Sequence, residues 1–373
     1  MNKKRLIVTS VTVVALLGVA IYFTAMSRTS ATKAPLTPFD QNIKFRESRV
    51  EAYPEDSETY RQLAAGLASR AGETGDAADY DRALREIDEA DKLDPGSLRL
   101  LQARVLILFS RHRFQEAKNI AEHGLQLDPN NADLLSLAGD SALESGDLDT
   151  AEKHYRLLAE TSPKLPGAWA RLARLAEVRG DLEEAARLMT KSIDVGYPTP
   201  LPPYGIAWTR SILGEIEAKR GNLDEARRQY NWALDKFPGF PLALEFLADL
   251  EQWHGKPDEA EKIYRNLLST KANPKWQISL ATLLEKRGAK DEAAQLRAEA
   301  RKFYEQAVAS GNEGYLRPLA TLELDEHNYN RAAELAARDM ALRPTTESRA
   351  IYANIIKAAT DAGQPLPVAQ NIQ

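Results

Sequence analysis

Hydrophobic positions recur at helical spacing along most of the chain, and they do so in paired segments. Within residues 132–165, apolar positions such as Leu135 and Ala138 recur three or four residues apart, which places them on one helical face. The pattern breaks at Gly146, and a second amphipathic segment ends at Pro163. Glycine favours a tight turn, and proline lacks the N–H that would continue a helix. The pattern predicts two antiparallel helices joined by a short turn.

This unit repeats along the chain at intervals close to 34 residues. One small residue of the second helix recurs eight times, at Ala83, Ala117, Ala151, Ala185, Ala226, Ala260, Ala293 and Ala332. Small residues also recur in the first helix and prolines at the end of the second. This resembles the tetratricopeptide repeat (TPR), with its W-x2-L-G, A and P signature. The best match runs through Trp169, Leu172, Ala173, Gly180 and Ala185.

The resemblance implies an all-α, right-handed superhelical solenoid of about eight TPR helix-turn-helix repeats with capping helices. The solenoid is expected over 39–363. Repeats are predicted near 57–97, 98–131, 132–165, 166–199, 207–240, 241–273, 274–312 and 313–346, with capping helices over 39–52 and 348–362 and a flexible tail over 364–373. The pentatricopeptide repeat is the nearest competitor, but such arrays bind RNA and should be basic. The net charge of −5 argues against it.

Three places depart from the regular repeat. Residues 72–76 predict a first turn that is seven residues longer than the others, as in a widespread type of bacterial TPR protein. Prolines between 196 and 204 add a segment that we interpret either as a spacer or as a rigid rim of a groove. Arg297 occupies a position where an apolar residue is expected, and the helix that carries it is predicted to run on to about Ser310.

The N-terminal residues predict a membrane anchor. Residues 1–5 are basic and residues 6–26 contain no charged residue, which is long enough for a transmembrane helix. Residues 27–38 resemble a tether. A cleaved signal peptide is the alternative, although the apolar stretch is long for one. The positive-inside rule then places the N-terminus in the cytoplasm and the repeats on the periplasmic side of a bacterial inner membrane, with a single crossing.

No motif points to catalysis. The chain has no cysteine, which removes disulfides, thiolate metal sites and a cysteine nucleophile. It has no phosphate-binding glycine loop, zinc-protease motif or serine-hydrolase motif. Five scattered histidines are interpreted as surface residues. We therefore expect a protein that is not an enzyme and that needs no cofactor or metal, and its acidic charge disfavours nucleic acid as a partner.

Function is then expected on the concave surface formed by the first helix of each repeat. Residues at that register in repeats four to six form the candidate partner groove, and they are Arg171, Arg174, Trp208, Ser211, Glu215, Glu245, Phe246, Asp249 and Trp253. Exposed aromatic groups rimmed by charge favour an interaction site. The alternative is that both tryptophans pack under the proline-rich segment. Three carboxylates of the set, Glu215, Glu245 and Asp249, would favour a basic peptide.

The sequence therefore predicts a non-enzymatic scaffold that holds partner proteins or peptides at the bacterial membrane, in cell-envelope assembly or export. Two alternatives stay open at this point. The chain could assemble with itself into a structural scaffold, which makes a homo-oligomer possible. It could also be an enzyme with an unrecognised carboxylate site, or a noncatalytic subunit of an envelope enzyme complex.

Overall fold

The computed structural model describes residues 37–196 and 203–366, and these residues form 18 α-helices, one short 3-10 helix and no strand. The predicted anchor at 6–26, the tether up to residue 36 and the tail from residue 367 lie outside the described residues. Within the two described ranges, no helix combines the length and apolar character that a membrane crossing requires.

The helices alternate between an A and a B member of each repeat. The A helices are α2 (Ser57–Thr74), α4 (Leu98–Ser110), α6 (Ala132–Glu144), α8 (Pro166–Val178), α10 (Pro203–Lys219), α12 (Pro241–Trp253), α14 (Pro274–Lys286) and α16 (Leu316–Asp325). The B helices are α3 (Ala77–Leu93), α5 (Phe114–Leu127), α7 (Leu148–Thr161), α9 (Leu182–Asp194), α11 (Leu223–Lys236), α13 (Pro257–Thr270), α15 (Lys290–Ala309) and α17 (Tyr329–Leu342). Helices α1 (Pro38–Ala52) and α18 (Thr346–Asp361) flank the eight pairs.

The turn between α6 and α7 shows how the sequence sets a repeat. Gly146 adopts the left-handed conformation at φ 79°, which glycine tolerates without steric cost. The amide of Asp147 then donates to the carbonyl of Ala142, and the Asp147 side chain accepts from the Thr150 amide at 3.2 Å. One aspartate thus ends the turn and caps the next helix.

The recurring alanines form the core of every repeat, as the period predicted. All eight are at most 2% exposed, from Ala83 to Ala332. Beside them, large side chains fill the space between repeats. Tyr155 on α7 is fully buried and packs with Leu175 of the next repeat. Burial of such side chains between neighbours makes each repeat depend on the next one for its stability.

The first repeat corrects one expectation. We predicted that its seven extra residues lengthen the turn, but α2 has 18 residues and α3 has 17, and only Gly75 and Asp76 separate them. The extra residues extend the helices because the insertion is rich in alanine, and Ala71 and Ala77 are fully buried. The long α15 helix, which ends at Ala309, and the capping helices α1 and α18 agree with the prediction.

The array curls far enough for its first repeat to touch the end of its sixth repeat and the junction of its seventh and eighth. The Ser310 hydroxyl donates to the Gly75 carbonyl at 3.1 Å, and the Asn312 amide donates to the same oxygen at 3.2 Å. Lys271 pairs with Glu73 at 2.6 Å. These contacts join residues about 200 or more positions apart. We call this set of contacts the closure contact.

Two histidines depart from the surface positions that we predicted. His154 is 7% exposed. His112 adopts a positive φ of 60° and packs between the Phe114 ring, at 5.3 Å, and Arg343 of the eighth repeat. Burial, together with the positive charges of Arg343 and Arg317, lowers the pKa of His112 to about 4. His112 is therefore a neutral member of a second contact between distant repeats.

Candidate functional site

A cavity of about 410 Å³ opens on the A-helix side of repeats two to five. Helix α6 contributes Asp140, Leu143 and Glu144 to its wall, and helix α8 contributes the two arginines that we predicted. The lining set is Phe109, Asp140, Leu143, Glu144, Tyr155, Gly167, Ala170, Arg171, Arg174, Glu177, Met189, Trp208, Ile212 and Glu215. We call this space the central cavity. Its wall joins several large apolar side chains to a group of charged ones, which is the usual composition of a recognition pocket.

One end of the central cavity is held by a bidentate ion pair. Arg171 donates from Nε and Nη2 to the two carboxylate oxygens of Asp140, both at 2.9 Å, and from Nη1 to the Gly167 carbonyl at 3.2 Å. Tyr155 donates its hydroxyl to Asp140 at 2.8 Å. The planar guanidinium matches a carboxylate with two parallel hydrogen bonds. This network fixes α6 relative to α8 and occupies the donors of Arg171.

A second network crosses from α8 to α10. Arg174 donates to Glu177 at 2.8 Å, and Lys219 reaches both Glu177 at 2.5 Å and Glu215 at 2.7 Å. Two cations and two carboxylates therefore neutralise each other along this wall. Glu177 is buried, but the hydrogen bonds from Lys219 and Arg174 keep its pKa below its usual value.

Glu144 stands apart from both networks. Its carboxylate lines the central cavity but accepts no hydrogen bond and forms no ion pair among the residues that the structure describes. Burial raises its pKa, against the opposing effect of Arg174, Arg343 and Arg317. Each of those arginines is itself bound to another carboxylate, at Glu177 for Arg174 and at Asp339 for the other two. Among the described residues, Glu144 is thus a carboxylate with no hydrogen-bond or ion-pair partner.

The predicted groove residues divide into two groups. Arg171, Arg174, Trp208 and Glu215 lie together in the wall of the central cavity. Trp208 is 36% exposed, so it does present surface to a partner. The proline-rich residues 197–202 lie outside the described part, and whether they cover either tryptophan stays a prediction.

The second group lies elsewhere. Ser211 is fully buried, and its hydroxyl is satisfied by donating to the Ala207 carbonyl at 2.7 Å, so our expectation that it lines a groove was wrong. Glu245 is also buried, where it accepts from the Trp276 indole at 2.7 Å and pairs with Lys275. These two side chains offer a partner no free surface.

Three further residues that we predicted to line the groove lie on α12. Asp249 accepts a hydrogen bond from Tyr264, and Phe246 packs against Tyr230 with ring centroids 5.8 Å apart. Trp253 is 69% exposed, but it does not line the central cavity. The carboxylates that we expected to attract a basic peptide therefore already have partners, with Lys219, Lys275 and Tyr264 satisfying Glu215, Glu245 and Asp249.

Sequence reasoning missed the residues of repeat three. Asp140 and Glu144 are one helical turn apart on α6, and Asp140 lies 15 positions before its tyrosine partner. The same spacing joins Asp249 to Tyr264, whereas repeat four has Arg174 opposite Met189. An acidic residue lies 15 positions before a tyrosine in repeats three, five and six, so the arginine at this register in repeat four is a sequence signal that could have marked the cavity.

A neighbouring cavity of about 390 Å³ lies on the A helices of the first two repeats. Its wall contains Ala65, Ala68 and Leu106, with Arg61 and Arg99 among its polar residues. Leu106 is 53% exposed. Helix α4 contributes to both cavities, through Leu106 to this one and through Phe109 to the central cavity. The A-helix side of repeats one to five therefore offers two adjoining recesses.

Comparison with known proteins agrees with the repeat assignment. Models of the tetratricopeptide repeat match residues 108–157, 136–196 and 207–250. The chain therefore carries tetratricopeptide repeats over the matched residues, and the described helices before and after them continue the same pairing as a helical solenoid. The described residues contain no group of three histidine, aspartate or glutamate side chains placed to hold a metal ion.

Particular relatives are distant. The chain is 23% identical over 330 residues to Cellulose synthase operon protein C of Pseudomonas fluorescens (strain SBW25), which covers 82% of this chain and 24% of the relative. It is 21% identical over 177 residues to Cellulose synthase 1 operon protein C of Komagataeibacter xylinus, covering 46% of this chain and 13% of that one. The chain thus spans about a quarter of the first relative's length, and less of the second.

Among solved structures, a monomeric IFIT1 variant with m7Gppp-AAAA superposes with a TM-score of 0.51 at 16% identity, covering 80% of this chain and 76% of that one. This likeness concerns the fold alone. Proteins with this repeat generally hold protein partners and are generally not catalysts.

Proposed function

We propose that the chain is a non-enzymatic scaffold whose A-helix surface binds an extended segment of a partner protein at the bacterial membrane. The central cavity carries this proposal, because it combines a partly exposed tryptophan with fixed charges in a recess of about 410 Å³. Aromatic side chains in such settings contribute most of the binding energy of many interfaces.

The geometry of the surface favours an extended partner segment over a compact one. Helix α4 lines both cavities, and we expect different side chains of one extended segment to enter them. The ion pairs Arg171–Asp140 and Lys219–Glu177 hold α6, α8 and α10 in place before a partner arrives. A rigid receptor loses little conformational entropy on binding.

The membrane location rests on the sequence. The uncharged residues 6–26, after a basic start, support an inner-membrane anchor with the repeats on the extracytoplasmic side. A direct test is extraction of membranes with alkaline carbonate. We expect the full chain to stay with the membrane fraction, and complete release into the soluble fraction would overturn this part of the proposal.

A second candidate is that the scaffold is a noncatalytic subunit of an envelope enzyme complex. The names of the two relatives, which refer to cellulose synthase operons, favour this role over self-assembly. Both candidates use the same binding surface, and they differ in whether the captured partner is an enzyme.

Capture from a detergent extract of cell envelopes tests the proposed surface. The full chain would be compared with Trp208→Ala and with the matched control Trp232→Ala, whose indole is 50% exposed on α11 and stacks with Arg210. We expect a partner that the wild type and the control retain and that Trp208→Ala loses. Equal retention by all three would show that the central cavity is not the working surface. Capture of the same chain alone would favour the self-assembling scaffold.

A further inference from the structure

We infer that the central cavity receives one basic side chain, arginine or lysine, of the partner segment, and that Glu144 is its counter-charge. This inference rests on the proposed function and specifies the chemistry of the partner. It differs from the expectation drawn from sequence, in which Glu215, Glu245 and Asp249 attract a basic segment.

The first argument is the state of the charges in the wall. Asp140 is bound by Arg171 and Tyr155, and Glu177 and Glu215 are bound by Lys219. Among the described residues that line the cavity, Glu144 is the one carboxylate with no hydrogen bond and no ion pair. A partly buried carboxylate without a partner is costly, and a cation that enters the cavity removes that cost.

The second argument is that the three arginines near Glu144 in the described part of the chain are already paired with other carboxylates. Arg174 donates to Glu177 at 2.8 Å. Arg317 donates to Asp339 at 3.1 Å and to Glu347 at 2.6 Å, while Arg343 pairs with the other oxygen of Asp339. If one of these arginines moved to pair with Glu144, the buried carboxylate that it now binds would lose its partner. That loss would cost about as much free energy as the new ion pair supplies.

The third argument is the apolar wall around the carboxylate. Phe109, Leu143 and Ile212 line the same cavity, and Trp208 exposes part of its ring system. Arginine and lysine carry an apolar stem beneath a charged head, so a wall of this kind can pack the stem while Glu144 takes the head. An indole face adds attraction for a nearby cation.

An acidic side chain is disfavoured in the same place. It would meet Glu144 directly, while the donors of Arg171 are already used by Asp140 and Gly167. A neutral apolar side chain would pack against the wall but would leave Glu144 without a partner. Charge complementarity therefore selects a basic residue with an apolar neighbour.

A displayed library of random 12-residue peptides tests this inference with the full chain in detergent. Selection would be run on the wild type, on Glu144→Gln and on the control Glu160→Gln, which changes an exposed carboxylate on α7. We expect the wild type and the control to enrich peptides with arginine or lysine beside an apolar residue. Glu144→Gln should still bind peptides but lose the basic preference.

A synthetic peptide from the enriched set then gives the magnitude. Replacing its basic residue by norleucine, and Glu144 by glutamine, completes a double-mutant cycle. Each change alone should weaken binding about tenfold or more, and the second should add little once the first is made.

The outcomes separate this inference from the proposed function. The inference is overturned if the selected peptides are not enriched in arginine or lysine, or if Glu144→Gln selects the same basic peptides as the wild type. In either case the proposed binding surface is still supported, because peptides bind. Failure to select any peptide overturns both. An unchanged circular dichroism spectrum and a melting temperature no lower than that of the wild type would confirm that a preference lost in Glu144→Gln does not come from unfolding.

Discussion

Gly139 tests whether the close approach of α6 and α7 determines the stability of a repeat. A Cβ atom at this position would lie 2.6 Å from Cδ1 of Tyr155 and closer still to Cε1. Tyr155 is fully buried and its hydroxyl is held by Asp140, so the ring has no free space to move into. Gly139→Ala therefore forces an overpacked core.

The magnitude follows from two opposing effects. Overpacking of a close-packed core costs roughly 1–3 kcal/mol. Replacement of a mid-helix glycine by alanine recovers about 1 kcal/mol of helix propensity. Because the ring would have to shift by about an ångström, we expect the upper part of the first range. The net loss in the free energy of unfolding is then about 1–2 kcal/mol.

The matched control is Gly72→Ala on α2. A Cβ atom there would meet only the Tyr80 hydroxyl, at an ordinary 3.6 Å, so the propensity gain should dominate and the protein should be slightly more stable. Thermal melting by circular dichroism compares the two variants, and amide hydrogen exchange of α6 and α7 localises the effect. Repeat arrays can unfold in parts, which makes the local measurement necessary.

A double variant makes the reasoning sharper. If the clash with the tyrosine is the cause, Gly139→Ala should cost nothing further in a Tyr155→Leu background, because the opposing ring is gone. A melting temperature of Gly139→Ala equal to or above that of Gly72→Ala would refute the account of tight helix packing.

Three further outcomes follow from the structure. Trp253→Ala should leave the melting temperature unchanged because the indole is 69% exposed, whereas Phe246→Ala, which packs against a buried tyrosine, should lower it by several degrees. The raised pKa of Glu144 stabilises the fold at low pH, and that contribution is lost as pH rises through the raised value. Glu144→Gln should therefore remove the part of the pH dependence of stability that lies above the ordinary carboxyl pKa of 4.5. The lowered pKa of His112, about 4, gives a contribution that is complete above the usual value of 6.5 and is lost as pH falls toward 4. Distance measurements between labels on the second and eighth repeats should show separation in that window, and His112→Asn, but not His327→Asn, should abolish the response.

The repeats could be predicted from the sequence because each of them has the same local packing and turn requirements. Every register alanine, such as Ala151, must be small to let two helices approach, and every turn glycine, such as Gly146, must reach a positive φ. These requirements act within about 34 residues, so they are visible as a period. The same locality explains why α1 and α18 could be predicted as caps.

The contacts between distant repeats could not be predicted in this way. The Ser310–Gly75 hydrogen bond depends on the rotation accumulated over seven repeats, and small changes in each repeat would separate the two residues. The burial of His112 has the same origin, since its partner Arg343 lies in the eighth repeat. A short sequence window contains none of this information.

The candidate site was partly predictable. The register placed Arg171, Arg174, Trp208 and Glu215 on one surface, and they do share a cavity. It failed at Ser211, since a helical serine can satisfy its hydroxyl on the preceding turn and so can be buried. The pairing of each carboxylate depends on side-chain reach across repeats, which is why Glu144 was not selected from the sequence.

The most direct test of the central claim is photo-crosslinking in intact cells from the wall of the central cavity. A benzophenone amino acid at position 208 replaces one aromatic side chain by another, and position 160 on α7 provides an exposed control away from the cavity. We predict a discrete adduct with another protein from position 208 and none from position 160. Adducts from position 160 alone, with none from position 208, would contradict the account.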